Sequence, residues 1–210
     1  MYARRVGERT LTLHVSGMLW GDSVVLADKE TGSEWSHILG RAMAGPLRGS
    51  ELEVIPSVML TWRRWKQDHP TTTVSALSRS ASEYTAGFYR ESRKFVLGLR
   101  HRGQVVAYPL PMLIRRTVIA DKVADDPIIA VYDGAGATAT AYRRTVRGEV
   151  LEFTADGRRM HAGGSTWSLA SGEALDGPWK GQRVERLPAM ISFAEVWRAY
   201  FPESRYGKDE

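Results

Sequence analysis

Gly32-Ser33-Glu34-Trp35-Ser36 recurs 132 residues later as Gly164-Ser165-Thr166-Trp167-Ser168. From Gly32 to Pro70 the chain aligns without a gap to Gly164 to Pro202. Gly40 falls on Gly172, Ala42 on Ala174, Gly45-Pro46 on Gly177-Pro178 and Gly49 on Gly181. Glu53 with Glu185, Pro56 with Pro188, Trp65 with Trp197 and Pro70 with Pro202 continue the register. Chance does not keep two tryptophans and three prolines in step over such a span, so the chain is a duplication, and the duplication sets the architecture.

A second block aligns just upstream, at an offset of 140. Tyr2, Arg4, Val6 and Leu11 fall on Tyr142, Arg144, Val146 and Leu151. The first copy therefore carries eight extra residues within His14–Thr31, a stretch holding Trp20, Asp22 and Asp28. The second copy has the short polar run Thr154 to Gly163 there. It also has a front segment, Phe95 to Ala141, with no counterpart ahead of Tyr2. The first unit is expected to be incomplete, with open strand edges and apolar faces. The isolated chain would then be marginal, or would pair as a homodimer through that unit.

Periodicity predicts an α+β, β-rich fold of two pseudo-equivalent units, each made of antiparallel strands ending in a short helix. Strands are expected over Thr10–Val15, Glu149–Phe153, Glu51–Ile55, Arg183–Leu187, Ile128–Tyr132 and Ala137–Arg143. Phe95–Leu99 and Gln104–Ala107 flank a turn and read as a hairpin. Helices are expected over Met59–Gln67 and Ile191–Tyr200, stopped ahead of Pro70 and Pro202, and over Pro109–Thr117. The expected domains are residues 1–70, a Ser/Thr/Tyr-rich surface linker over 71–94, a second unit over 95–204 and a polar tail over 205–210.

The 210-residue chain has an ordinary globular share of apolar residues, which excludes a disordered polypeptide. It has no cysteine, which excludes disulfides, thiolate zinc sites and cysteine nucleophiles. No apolar run reaches the roughly 18–20 residues of a membrane helix. The formal charge is +5, and the basic residues fall in short groups (Arg4-Arg5, Arg63-Arg64-Lys66, Arg115-Arg116, Arg143-Arg144, Arg158-Arg159) beside turns or on polar faces. That spread reads as solvated surface rather than a nucleic-acid site. Met1–Leu19 is not a secretory signal as written, which reads as cytoplasmic; a longer amino terminus would allow export.

Few residues suggest chemistry. Gly134-Ala135-Gly136-Ala137-Thr138 lacks the Gly-Lys-Ser/Thr ending of a phosphate loop and reads as a turn. None of His14, His37, His69, His101 and His161 is spaced to form a zinc helix. Ser36 and His37 are adjacent, and neighbours on a strand face opposite ways, so they do not form a nucleophile–base pair. The tryptophans kept in both copies read as core, whereas Trp20 and Trp62 have no tryptophan counterpart and are better placed for a ligand surface. Because His37 and Asp22 occur only in the embellished copy, a ligand cleft is expected near His14, Asp22, Trp35, Ser36 and His37. Asp22 or His37 would orient a polar ligand by charge-assisted hydrogen bonds.

The pattern Gly32-Ser33-x-Trp35-Ser36, Gly40-x-Ala42-x-x-Gly45-Pro46-Leu47-x-Gly49, with Ala107-Tyr108-Pro109-Leu110 after a hairpin, resembles the bacterial and archaeal proteins grouped as domain of unknown function 3179. The similarity runs from Tyr2 to Pro202 and includes Tyr84-Thr85-Ala86-Gly87-Phe88-Tyr89. The resemblance implies a further front segment with a histidine and a Cys-Pro-x-Cys-like motif, whose place in the second copy is taken by Val131–Ala137 without cysteine. It implies no established reaction, and the sequence assigns no cofactor. A noncatalytic ligand-binding or structural module is the expected function. The alternative is a metal-dependent or redox enzyme whose cysteine segment is absent from this chain.

Overall fold

Pro127 to Val131 is an apolar run too short for a helix and rich in β-branched residues, the pattern of a strand covered on both faces. The computed structural model, which describes residues 1–73 and 91–207, places it at the centre of the larger of two compact units. In chain order the strands and helices begin with β1 (Arg5–Val6), β2 (Arg9–Thr10), β3 (Leu13–Trp20), β4 (Ser23–Asp28), β5 (Glu34–Ser36), β6 (Arg41–Ala44) and α1 (Trp62–Asp68). Then come β7 (Phe95–His101), β8 (Gln104–Pro109), α2 (Leu110–Arg116), β9 (Val118–Val123), β10 (Asp126–Asp133) and β11 (Thr138–Arg143). The short pairs β12 (Thr145–Val146), β13 (Glu149–Val150), β14 (Thr154–Ala155), β15 (Met160–Ala162) and β16 (Ser165–Trp167) follow. The chain ends in β17 (Glu185–Leu187), β18 (Ala189–Phe193), α3 (Ala194–Tyr200) and β19 (Arg205–Tyr206).

The larger unit, Val58–Ser192 with Arg205–Glu210, is built on the antiparallel sheet β17-β11-β10-β9. Successive residues of β10 serve opposite faces. Ile128 and Ala130 pack with Leu97, Leu99, Tyr108, Leu113 and Leu187. Ile129 and Val131 pack with Tyr142, Leu151, Phe153, Trp167 and Val184. A second sheet, β18-β7-β8-β19, supplies the first of these layers, and its β19 runs parallel to β8. The smaller unit, Met1–Ser57 with Phe193–Ser204, holds the sheet β3-β4-β5-β6 over a core of Leu11, Trp35, Ala42 and Leu52.

The duplication survives at the level of single bonds. The cluster Val6, Leu11, Leu13, Trp35, Ala42, Leu47 and Leu52 maps, position for position, onto Val146, Leu151, Phe153, Trp167, Ala174, Trp179 and Val184. Tyr2 Oη donates to the carbonyl of His37 at 2.7 Å, and Tyr142 Oη donates to those of Leu169 at 3.1 Å and Ala170 at 2.7 Å. Both tyrosines lie over a glycine with positive φ. A Cβ on Gly40 would stand 2.4 Å from Tyr2 Cε1, and one on Gly172 would stand 2.8 Å from Tyr142 Cε1. Ser33 Oγ accepts from Leu47 N and Ser165 Oγ from Trp179 N, each at 3.0 Å.

The structure moves several expected boundaries. The helix expected over Met59–Gln67 begins at Trp62, because Thr61 is extended and its hydroxyl accepts from Arg64 N as an N-cap. The helix expected from Ile191 starts at Ala194, because Ala189–Phe193, with Ile191 and Phe193, forms a strand beside β7. Arg183–Leu187 holds β17, paired with β11. The matching Glu51–Ile55 is reduced to the bridges Arg41↔Glu51 and Tyr2↔Val54. The polar tail expected over 205–210 contains β19, clasped by Arg205 on Asp121 at 2.8 Å. Of the two compact units, the larger includes α1 and the smaller includes α3. The linker expected over 71–94, with Tyr84–Tyr89, lies outside the described residues from 74 to 90.

Gly172→Ala is expected to cost about 2–4 kcal/mol, the sum of a left-handed backbone position and overpacking against a buried, hydrogen-bonded Tyr142. Gly40→Ala should cost less, since Tyr2 is only half-buried and its ring can give way. Urea denaturation of the two variants checks the order.

Candidate functional site

The eight added residues of the first repeat lengthen the β3–β4 hairpin. Its tip, Trp20-Gly21-Asp22-Ser23, has both central residues at positive φ (52° and 60°), the type I′ arrangement that matches strand twist. Asp22 is thereby fixed at the exposed tip, and Trp20 stays 49% exposed. Tyr200, from α3, packs edge-on to Trp20 with ring centroids 5.1 Å apart, and its hydroxyl donates to the Trp20 carbonyl. Ser23 and Ser36 hydrogen-bond Tyr200 as well. Burial pushes the phenol's pKa up; the serine bonds oppose this, and the nearby Asp22 charge adds to it. Tyr200 is therefore a neutral donor held among hydroxyls.

Of the expected cleft residues, Ser36 and Asp22 are brought together around Tyr200. Trp35 points away into the core, fully buried, and its indole N–H donates to Asp28 Oδ2 at 2.9 Å. His14 is exposed on β3, the outer strand of its sheet, opposite Ala27. His37 is exposed at the sheet margin, 6.2 Å from the Tyr2 ring; partial burial and then the Met1 ammonium hold its pKa down. Its counterpart Leu169 is buried, so the two copies differ here between an exposed imidazole and a core residue.

Sequence reasoning missed Tyr200 and the role of Asp28. Tyr200 lies 180 residues from Trp20, and its repeat partner is Asp68, so neither spacing nor repetition signals it. Asp28 is buried and accepts from Thr31 N (2.6 Å), Thr31 Oγ1 (2.9 Å) and the Trp35 indole. In the second copy the Trp167 indole donates instead to the backbone carbonyl of Ala162. Burial works to raise the Asp28 pKa, but the bonds from Trp35, Thr31 and Ser33 prevail and hold it below the usual carboxylate range.

Several other polar and charged groups take part in internal contacts. The Gly134–Ala137 run closes the β10–β11 hairpin as a turn, with Asp133 Oδ1 accepting from Ala135 N at 3.0 Å. His101 shares a 2.6 Å hydrogen bond with Asp126, which also meets Arg102 and Arg143 at 3.2 Å. His69 caps α1 and stacks on Trp65 with ring centroids 4.0 Å apart. Among the described residues no group of three or more His, Asp or Glu is arranged to hold a metal ion, and no helix is long and apolar enough to cross a membrane.

The structure is that of a strand-rich protein with one core built twice and one copy lengthened to carry an aromatic hairpin tip. The family model described as "Protein of unknown function (DUF3179)" matches residues 1–94 and again residues 89–204. The chain belongs to that family, and the double match follows the duplication. No curated protein and no solved structure matches the chain.

Asp28→Asn is expected to cost about 1–3 kcal/mol, since a neutral amide cannot accept from Thr31 and Trp35 together with charge assistance. The sign with pH follows from a folded-state pKa below the unfolded one. The stabilisation is complete above the unfolded value of about 3.9 and is lost as pH falls through the lower folded value. Acid titration of the smaller unit, followed by tryptophan fluorescence, should lose that component in Asp28→Asn.

Proposed function

We propose that this protein is a noncatalytic binding module whose ligand surface is the lengthened β3–β4 hairpin of the smaller unit. One observation carries the reading. The residues kept in both copies are used in packing and internal hydrogen bonds, while the residues added to one copy present a half-exposed indole and an exposed carboxylate at a tight turn. Trp20 offers an aromatic face, Asp22 an acceptor, and Tyr200, Ser23 and Ser36 a fixed polar floor. Such a surface suits a small polar ligand that carries hydrogen-bond donors and one apolar face. His37, at the margin of the same sheet, adds a donor that its lowered pKa keeps neutral at physiological pH.

Thermal-shift screening of the full chain against a panel of sugars, amines and carboxylates tests this. A ligand that raises the melting temperature should bind about tenfold more weakly to Asp22→Ala, where a charge-assisted bond is removed, and also more weakly to Trp20→Phe. Binding left unchanged by Trp20→Phe, Asp22→Ala and His37→Ala would place the ligand elsewhere and remove the reading.

A further inference from the structure

The helices α1 and α3 are repeat equivalents down to their C-caps. His69 N donates to Trp65 O and Phe201 N to Trp197 O, each at 2.9 Å. The Trp65 indole donates to Thr72 Oγ1 at 3.1 Å, and the Trp197 indole to Ser204 Oγ at 3.0 Å, at matching positions of the two copies. Yet each helix belongs to the compact unit dominated by the other repeat. The first repeat's α1 lies in the larger unit: Thr61 N donates to the Gly136 carbonyl at 3.2 Å, and Arg64 Nε stands 3.5 Å from Asp133 Oδ2. Leu60 lies so close that a Cβ on Gly136 would come within 2.9 Å of it. The second repeat's α3 lies in the smaller unit, where Tyr200 sits against Trp20 and Gly21.

We infer that the two repeats have exchanged their carboxy-terminal helices, so that each unit is stabilised by a helix encoded in the other repeat, with Tyr200 and the Thr61–Arg64 segment as the two anchors. The connectivity of α3 supports this. It is entered from β18 and left through β19, which are the two outer strands of one sheet in the larger unit. The chain thus leaves that unit for one helix and returns to the sheet's opposite edge. Residue Arg205, which opens β19, is fixed at once by Asp121, itself the acceptor of the buried Tyr108 hydroxyl at 2.6 Å. Anchoring at both ends is what an exchanged element needs, because it shortens the accessible chain and limits the entropy lost on docking.

Hydrogen exchange read by mass spectrometry on the full-length chain tests the exchange. Tyr200→Ala, a change in the second repeat, should speed exchange about tenfold in peptides covering residues 13–36 of the first, and leave residues 95–143 unchanged. Arg64→Met, a change in the first repeat, should speed exchange in residues 131–140 and leave 13–36 unchanged. Where Tyr200→Ala fails to fold, Tyr200→Phe keeps the ring contact and removes only the hydroxyl bonds, and its smaller increase should fall on 20–36. Wild-type protection of 13–36 in the Tyr200 variant, or of 131–140 in Arg64→Met, overturns the proposal. So does an equal increase in residues 142–187 when Tyr200 is changed.

Discussion

The Tyr142 phenol packs against a glycine, and its hydroxyl donates to two successive carbonyls, those of Leu169 and Ala170. That contact constrains everything around it. Only a residue without Cβ lets the ring approach Gly172 so closely, and only a turn of that shape offers both carbonyls to one hydroxyl. With the ring in place, Trp167 and Leu169 are carried into the core beside Ile129 and Val131. The same wedge in the first repeat, Tyr2 over Gly40, organises Trp35 and Leu11 in the same way. Burying a phenol is costly unless its hydroxyl is bonded, and here the bond is to backbone, which a change of neighbouring side chain cannot remove.

Once the scaffold is fixed by such contacts, the two copies are free to differ at its margins. The second repeat is enclosed by the front segment Phe95–Ala141, which gives its central sheet a core on each face. The first repeat carries an extended hairpin. That extension needed its own internal support, and Asp28 supplies it by replacing a backbone carbonyl as the acceptor for the core indole. A buried carboxylate is tolerated there because its hydrogen bonds favour the ionised form over the neutral one.

Much of this was written in the local pattern. The gapless repeat located the duplicated core, because tryptophans, glycines and prolines kept in register are those that packing and positive φ demand. Alternation located the β7–β8 hairpin and β10, and the missing Gly-Lys-Ser/Thr ending identified the Gly134–Ala137 turn. In the sequence, Asp22 and Ser36 are grouped only by lying in the lengthened copy. Trp35 was not separable from them by sequence: its place in the repeat marks it as core, but its closeness to His37 in the chain suggests a site.

Tertiary structure alone decided the rest. Tyr200 joins Trp20, Ser23 and Ser36 from the far end of the chain, and no periodicity connects residues that meet only after a helix docks. The start of α3 was likewise hidden: Ile191 suits a helical face or a strand equally well, and the neighbouring β7 selects the strand. The two units divide the chain differently from the two repeats for the same reason. Sequence similarity records which segments share ancestry, and it fixed the core of each repeat, whereas the choice of which body a helix covers depends on long-range burial that no local pattern encodes.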